Sequence, residues 1–236
     1  LKDRVVKKNY QFITKTHMGC IFYPGINKID IKTQKVNKYC HNNYFQQLKQ
    51  ILSNNKNSII IFSGRFPLYI SEKFFDNQEG GIERKRYVHK YVSLGKYINI
   101  QDSFKNEVLE LSNNNKIILV YPIPETGWNV NQKIHDQWKK QVFVKNHNVY
   151  NFTTSYEVYK SRTKSSFELL NSIKGENIYR VYPHKLFCDT KIKNRCVTHD
   201  DKNIFYHDDD HPSLKGAEMI NDLIMKEIEK IELKYN

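Results

Sequence analysis

Residues 116–121 read KIILVY, an unbroken apolar run after one lysine, and Pro122 follows them directly. A short run of this kind that ends at proline is typical of a strand covered on both faces, as strands in parallel sheets are. NSIIIF (57–62) and IYRVY (178–182) have the same pattern, and Met18–Tyr23 is a weaker candidate. The sequence therefore predicts a sheet of buried, parallel strands.

Helical periodicity lies between these strands and after the last of them. Apolar residues recur at intervals of three and four in four segments: 44–52, 104–111, 156–173 and 217–231. Asp102 or Ser103 is available to cap the second helix, and Ser213 to cap the fourth. Strands that alternate with helices predict a single α/β domain with helices on both faces of the sheet.

Two long segments, Ile70–Ile98 and Glu125–Thr153, look irregular in sequence. Long insertions in α/β domains commonly carry substrate contacts or lids, and ligands sit beyond the carboxyl ends of the parallel strands. We therefore expect these two segments to lie near any functional site.

The net charge is +13, from 38 basic and 25 acidic residues. Most of the basic residues are lysines scattered along the chain, without an arginine-rich stripe or an aromatic RNA-binding signature. The sequence therefore predicts no nucleic-acid partner. The longest apolar runs are far shorter than the roughly 20 residues that a membrane-spanning helix needs.

The four cysteines form two pairs that are local in sequence, Cys20 with Cys40 and Cys188 with Cys196. No pair has the CxxC spacing of a zinc ribbon or a thioredoxin motif. Two disulfides are predicted, which places the chain in an oxidising compartment. The alternative is four buried free thiols in a cytosolic protein.

The segment YHDDDHPSLKGAEMI (206–220) precedes the last helix and combines three aspartates with two histidines. Asp208 and His211 are three residues apart, a spacing that lets the carboxylate reach the imidazole on a tight turn and make it a general base. We expect Asp209 and Asp210 to face solvent. A metal site and a purely structural turn are the alternatives, although no second cluster of metal ligands stands out, and we predict no metal.

The Asp-x-x-His followed by a small residue and Gly-Ala resembles the last motif block of SGNH (GDSL-type) hydrolases. The resemblance is closest to the SGNH domain fused behind the membrane part of acyltransferase family 3 proteins. It extends from about residue 15 to the end and is supported by IIIFSGRFPLYI (59–70), IILVYPIPETGWNV (117–130) and LFCDTKIKNRC (186–196). It implies a flavodoxin-like three-layer α/β/α fold with a parallel sheet.

The chain departs from the family pattern at the nucleophile, because no Gly-Asp-Ser occurs in residues 1–236. Residues 1–12 look like the later part of the helix that follows the serine in the family. We therefore expect a single SGNH-type domain over residues 1–236 that is truncated at its N-terminus and lacks its first strand. The other explanation is a degenerate domain that never had the serine.

The third motif block raises three further hypotheses about the reaction site. Ser63 follows a predicted strand and is a second candidate for the nucleophile. The backbone N–H of Gly64 or the guanidinium of Arg65 is a candidate oxyanion donor, because the usual asparagine is absent. The alternative is that Arg65 forms only a structural ion pair. Trp128 is either a platform for a sugar ring or an anchor for its loop.

The resemblance implies an extracytoplasmic domain of an O-acyltransferase that acetylates cell-surface polysaccharide, with a serine acyl-enzyme assisted by His211 and Asp208. The expected partners are a polysaccharide or glycolipid acceptor, as in lipopolysaccharide modification, and the N-terminal membrane acyltransferase domain of the same parent chain. That missing part would tether the domain to the periplasmic face of the inner membrane. No cofactor is expected in this domain, and acetyl-CoA is implied for the membrane part. The alternatives are a non-catalytic carbohydrate-binding module and an SGNH esterase or deacetylase.

Overall fold

The computed structural model describes residues 1–15, 19–71, 73–83, 89–144 and 152–235. In chain order its elements are α1 (Lys2–Val6), β1 (Ile26–Asp30), α2 (Asn42–Asn54), β2 (Ile59–Phe62), α3 (Phe66–Ser71), β3 (His89–Ser93), α4 (Ile100–Ser112), β4 (Lys116–Val120), α5 (Val130–Val144), β5 (Thr153–Ser155), α6 (Tyr156–Ser172), β6 (Ile178–Val181), α7 (His184–Phe187), β7 (Arg195–Val197) and α8 (Leu214–Tyr235).

The central sheet is parallel and has the strand order β2-β4-β6. These are the three strands that the apolar runs predict. The middle strand β4 is the most deeply buried, with Ile117, Ile118 and Leu119 all at 0% exposure. An unbroken apolar run is required there because β4 is covered on both faces.

The two faces of the sheet carry two separate hydrophobic clusters, which makes the fold a three-layer α/β/α arrangement. Ile117 and Leu119 pack on one face with side chains of α2, α4 and α6. Ile118 and Val120 pack on the other face with side chains of α1 and α8. Because successive side chains of a strand point to opposite faces, β4 supplies the centre of both clusters. The predicted fold class is confirmed.

The segment Met18–Tyr23 does not form the predicted fourth strand. Met18 lies outside the described residues, and Gly19–Tyr23 has no strand conformation. The side chains of Ile21, Phe22 and Tyr23 are nevertheless buried in the core. Apolar residues in a sequence indicate burial, and a loop can be buried as well as a strand.

The helix boundaries agree with the sequence at α2, α6 and α8, and differ at α1 and α4. Helix α1 covers only Lys2–Val6 of the predicted segment. Helix α4 is capped by Asn99, whose side chain accepts the Asp102 N–H at 2.8 Å, and not by Asp102 or Ser103. Asparagine caps a helix as well as aspartate or serine does, so the sequence alone does not show which of these nearby residues is the cap.

The two long segments contain regular structure that their sequences do not show. Strand β3, in the first, pairs antiparallel with β1, so that Ile26 lies opposite Ser93. Helix α5, in the second, begins at Val130. Neither β1 nor β3 has a continuous apolar run, because each pairs outside the central sheet.

Both predicted disulfides are present, Cys20–Cys40 with Cα atoms 5.5 Å apart and Cys188–Cys196 with Cα atoms 3.8 Å apart. All four cysteines are thereby paired, and the free-thiol alternative is wrong. The second disulfide joins the end of α7 to β7, shortly before the Asp-x-x-His segment. Among the helices of the described residues, none combines the length and apolarity needed to cross a membrane.

Candidate functional site

The Asp-x-x-His segment is hydrogen-bonded to the loop that follows β4. Thr126 donates its backbone N–H and its hydroxyl to the carbonyl oxygen of Asp209, at 2.8 and 2.9 Å. The N–H of Val130 donates to the carbonyl of Asp208 at 3.3 Å. These bonds fix the segment at the carboxyl end of the sheet, where α/β proteins bind their ligands.

The segment itself is a tight turn closed by its own backbone. The N–H of His207 donates to the carbonyl of His211 at 2.8 Å. One carboxylate oxygen of Asp208 accepts the N–H groups of Asp210 and His211, at 3.0 and 2.8 Å. Ser213 then caps α8, as predicted, by accepting the Gly216 N–H at 3.1 Å.

Gly216 allows the first turn of α8 to lie against the chain before the Asp-x-x-His segment. A Cβ atom at this position would lie 2.2 Å from the carbonyl oxygen of Phe205. Any other residue would therefore push α8 away from the turn. The glycine of the Gly-Ala pair is required by this close approach of two backbone segments.

The imidazole of His211 is held through Nδ1. This atom lies 2.9 Å from Oδ2 of Asp208 and 2.8 Å from Oδ1 of Asp210. Asp208 is the hydrogen-bond acceptor and Asp210 is a close negative neighbour, so Nδ1 carries the hydrogen and Nε2 is the basic nitrogen of the neutral ring. The side chain is 70% exposed, which makes Nε2 accessible to a substrate hydroxyl.

The charges around His211 favour its protonated form. Burial acts to lower the pKa of His211, but the negative charges of Asp210 and Asp208 outweigh it and raise the pKa above its ordinary value. Burial acts to raise the pKa of Asp208, but the hydrogen bonds from the amides of Asp210 and His211 outweigh it and lower the pKa. An ionised Asp208 beside a basic His211 is the arrangement that general-base catalysis requires.

Asp210 does not face solvent, and that expectation is wrong. Its side chain is only 10% exposed, with Oδ2 2.9 Å from a terminal nitrogen of Arg65. Burial raises the pKa of Asp210 in spite of this positive neighbour. Asp209 is half-buried, and burial raises the pKa of its carboxyl too. Three consecutive aspartates read as a solvated run in sequence, but Arg65 attracts the third into the protein.

Arg65 follows β2 and is the centre of a network of buried ion pairs. Its guanidinium makes two bonds with the carboxylate of Glu83, at 2.9 and 2.6 Å, and its Nε donates to Glu125 at 2.6 Å. The other oxygen of Glu125 accepts from Nε of Arg162, on α6, at 2.7 Å. Arg65 therefore forms the structural ion pair that was the alternative to an oxyanion role.

Two other site candidates are positioned close to the same loops. Gly64 is packed closely against the side chain of Ile21. A Cβ atom added to Gly64 would lie 3.0 Å from that side chain. The indole edge of Trp128 lies against Gly81. A Cβ atom added to Gly81 would lie 2.7 Å from Nε1 of Trp128. Lys133 places its ammonium 5.3 Å from the centre of the Trp128 ring. These contacts match an anchor for the loop after β4.

Glu83 and Arg162 belong to the site but carry no signal in the sequence. Glu83 lies in a segment that looks irregular, and Arg162 lies in the middle of a helix with many polar residues. Glu125 stands out in the sequence only as the last residue of the Pro-Ile-Pro-Glu segment. A buried ion pair between distant segments depends on the tertiary fold, which leaves no local pattern to detect.

Asp208, Asp210 and His211 each offer an atom that a metal ion could use, and these atoms lie within 4.8 Å of one another. The hydrogen bonds within the group already account for its geometry, and Arg65 places a positive charge beside Asp210. The expectation that this group binds no metal stays a prediction.

The comparisons with known proteins concern the fold and the family of the chain. The chain is similar in fold to the solved periplasmic domain of a lipopolysaccharide acetyltransferase from Salmonella ser. Paratyphi A, with a TM-score of 0.54 and 14% sequence identity. The match covers 96% of this chain and 76% of the other. No curated protein sequence matches the chain significantly.

A family model described as the SGNH domain fused to AT3 domains matches residues 3–226. The match spans nearly the whole chain and includes the β-strand ends, the Arg65 segment and the Asp-x-x-His turn. The protein therefore belongs to the family of SGNH domains that are fused to AT3 domains.

Proposed function

We propose that this domain carries out the acyl-transfer step of an O-acyltransferase that acetylates a cell-surface polysaccharide or glycolipid. The observation that carries the proposal is the His211–Asp208 pair, in which Nδ1 is held by the carboxylate and Nε2 is accessible. Membership of the SGNH family supports acyl chemistry. The similar Salmonella domain belongs to a lipopolysaccharide acetyltransferase, which supports a glycan acceptor.

The reaction has two steps, and His211 moves the proton in both. In the first, Nε2 of His211 takes the proton of a serine hydroxyl while the serine oxygen attacks the carbonyl of an acyl donor. The donor's leaving group departs with that proton, and an acyl-serine remains. In the second, His211 takes the proton of a sugar hydroxyl, whose oxygen attacks the acyl-serine carbonyl, and returns that proton to the serine oxygen as the bond between serine and acyl group breaks. Asp208 stabilises the imidazolium in each step.

We further propose that the serine is contributed from outside residues 1–236. Within the described residues, the central sheet leaves β2 paired on one side only, with β4. A further parallel strand paired with β2 would end beside the turn that holds His211, because parallel strands end at the same edge. Ser63, an exposed residue directly after β2, is the alternative within the chain.

The oxyanion donor in this proposal is the backbone N–H of Gly64. Arg65 is a poorer donor, because Glu83, Glu125 and Asp210 already occupy its guanidinium. A backbone N–H at the end of a strand is fixed in direction, and such preorganised donors stabilise a developing negative charge efficiently.

The proposed setting is extracytoplasmic. Two disulfides fit an oxidising compartment. The family description supports an AT3 membrane domain as partner, which would tether this domain to the inner membrane and use acetyl-CoA. The domain's own chemistry, as proposed, needs no cofactor.

Hydrolysis of the acyl-serine is the second candidate function, and the 70% exposure of the His211 side chain favours it. Water could then replace the sugar hydroxyl, giving an esterase or deacetylase. A carbohydrate-binding module without catalysis is the third, and it predicts that His211 has no effect on acetylation.

The proposal is tested by substituting His211 in the full-length parent protein and measuring O-acetyl groups on the isolated polysaccharide. H211A is expected to reduce acetylation by about a thousand-fold or more, as loss of a triad histidine does. H207A is the matched control, because His207 is an exposed histidine of the same turn. Unchanged acetylation in H211A, with the protein present at its normal level, would overturn the proposal.

A further inference from the structure

Two carboxylates lie against Nδ1 of His211, one as its hydrogen-bond acceptor and the other as a close negative charge. Asp208 lies 2.9 Å from this nitrogen and Asp210 lies 2.8 Å from it. A Ser-His-Asp triad requires one such carboxylate. The second one is held in place by other contacts, which a solvated bystander would not have.

Asp210 is fixed from its far side by Arg65. Its Oδ2 contacts Arg65 at 2.9 Å while its Oδ1 contacts His211, so one carboxylate bridges a guanidinium and the imidazole. Arg65 is itself held by Glu83 and Glu125. The exposed fractions of the Arg65, Glu125 and Asp210 side chains are 20%, 5% and 10%, so solvent screens these pairs weakly.

The network extends to α6 through Arg162. This side chain is 9% exposed and donates to Glu125, to the Ser71 hydroxyl and to the Lys73 carbonyl. Helix α6, the loop after β4 and the end of β2 are thus connected to the turn that carries His211. A displacement of any of these parts would move Asp210.

The charges in this network do not cancel. Arg65 and Arg162 supply two positive charges, whereas Glu83, Glu125 and Asp210 supply three negative charges when ionised. With Asp208 ionised as well, four carboxylates lie around two guanidinium groups and the imidazole. This excess of negative charge favours the protonated imidazole, because an unbalanced charge away from water is costly. Protonation of His211 reduces the excess from two charges to one.

We propose that Asp210 and Arg65 are positioning residues for His211: Asp210 holds the imidazole from a second side through its negative charge, and Arg65 keeps Asp210 in place and partly offsets that charge. The consequence for acyl transfer rests on the proposed function. The positioning of His211 does not depend on the proposed function, because it concerns only the orientation, tautomer and charge of the imidazole.

The groups that face His211 lie on two segments. Asp208 and Asp210 face it from its own turn, and Arg65 faces it from the end of β2. Glu83 and Glu125, on two further segments, act on it through Arg65. Because Asp208 accepts the Nδ1 hydrogen and Asp210 contributes charge, loss of Asp208 should change both the tautomer and the pKa of His211, whereas loss of Asp210 should change the pKa alone.

The test uses nitrogen-15 NMR of His211 in the chain of residues 1–236, with D208N, D210N and the double variant. The wild type and D210N are expected to keep the hydrogen of the neutral ring on Nδ1, and D208N and the double variant are expected to lose this preference. D210N should also lower the pKa of His211 by about one unit or more, because it removes an adjacent negative charge. R65Q should raise it.

An unchanged His211 pKa in D210N would overturn the inference, as would an unchanged His211 pKa in a folded R65Q. D210N is close to isosteric, so it keeps the test valid if R65Q fails to fold. The proposed function is tested separately, because acetylation by full-length H211A is independent of these spectra. A shifted pKa with unaffected acetylation in H211A would keep the positioning and reject the enzyme.

Discussion

Thr126 binds the carbonyl oxygen of Asp209 with both its backbone N–H and its hydroxyl, at 2.8 and 2.9 Å. The loop after β4 and the turn that carries His211 are therefore one unit. Thr126 is almost fully buried, at 1% exposure, and its hydroxyl also lies 2.8 Å from the carbonyl of Trp128.

Replacing Thr126 by valine should loosen this unit without leaving a cavity. T126V removes the hydroxyl while the backbone bond remains, so we expect the free energy of unfolding to fall by about 1 kcal/mol. Urea unfolding measures this change. T126S keeps the hydroxyl and is the control. Equal stability of T126V and the wild type would show that the hydroxyl adds nothing to the turn.

Glu125 should be the most sensitive member of the ion-pair network. Its 5% exposed carboxylate lies between Arg65 and Arg162, so E125Q leaves two buried guanidinium groups without their shared partner. We expect a loss of about 3–5 kcal/mol in the free energy of unfolding.

A matched control for E125Q is available at the surface. Glu79 pairs with Arg195, and these side chains are 31% and 30% exposed. E79Q should cost no more than about 1 kcal/mol, because solvent screens such a pair. Similar losses for E125Q and E79Q in urea unfolding would contradict the assignment of a buried network around Glu125.

The activity of the proposed enzyme should rise with pH as His211 loses its proton. Only the neutral ring can act as a base, and the adjacent carboxylates raise the pKa of His211. The midpoint of the pH–rate profile should therefore lie above the ordinary histidine value of about 6.5. D208N should lower the midpoint, since it removes a negative charge. A wild-type midpoint at or below the ordinary value would argue against this charge arrangement.

The same shift has a consequence for stability. The folded-state pKa of His211 lies above its unfolded value, so the protonated ring stabilises the fold. This contribution is fully present below the unfolded pKa of about 6.5 and is lost as the pH rises through the raised folded value. H211Q should flatten this part of the stability profile measured by thermal unfolding. A wild-type profile identical to that of H211Q would refute the linkage.

The two disulfides should differ in their contribution to stability. Their cysteines are separated by 20 and 8 residues in sequence, so the loop closed by Cys20–Cys40 is longer. In the chain-entropy account, the longer loop contributes about 0.8 kcal/mol more. The double variants C20A/C40A and C188A/C196A, compared by urea unfolding, measure this difference. A larger loss on removing the short loop would indicate that Cys188–Cys196 acts mainly on the native site.

The sequence predicts those parts of the fold that have a local pattern. KIILVY, NSIIIF and IYRVY each contain a strand of the central sheet, and the apolar run is most complete in the deeply buried β4. INKID and HKYVS pair with each other outside that sheet, so their mixed composition gives no such signal. The spacing of Asp208 and His211 likewise predicts a contact that a tight turn produces.

The partners of Arg65 could not be predicted in the same way. Glu83, Glu125 and Asp210 are 18, 60 and 145 residues away from it, and they meet only because the sheet brings their loops to one edge. The sequence predicts an exposed Asp210 because two other aspartates directly precede it. Its burial depends on a guanidinium from a distant strand end, which composition cannot reveal.

The measurement that tests the central claim most directly is to trap the acyl-enzyme of the purified full-length protein and locate the acyl group by peptide mass spectrometry. The account predicts an acetylated serine outside residues 1–236, formed by the wild type and by S63A, and absent in H211A. An acetyl group on Ser63, or normal formation of the acyl-enzyme in H211A, would contradict it.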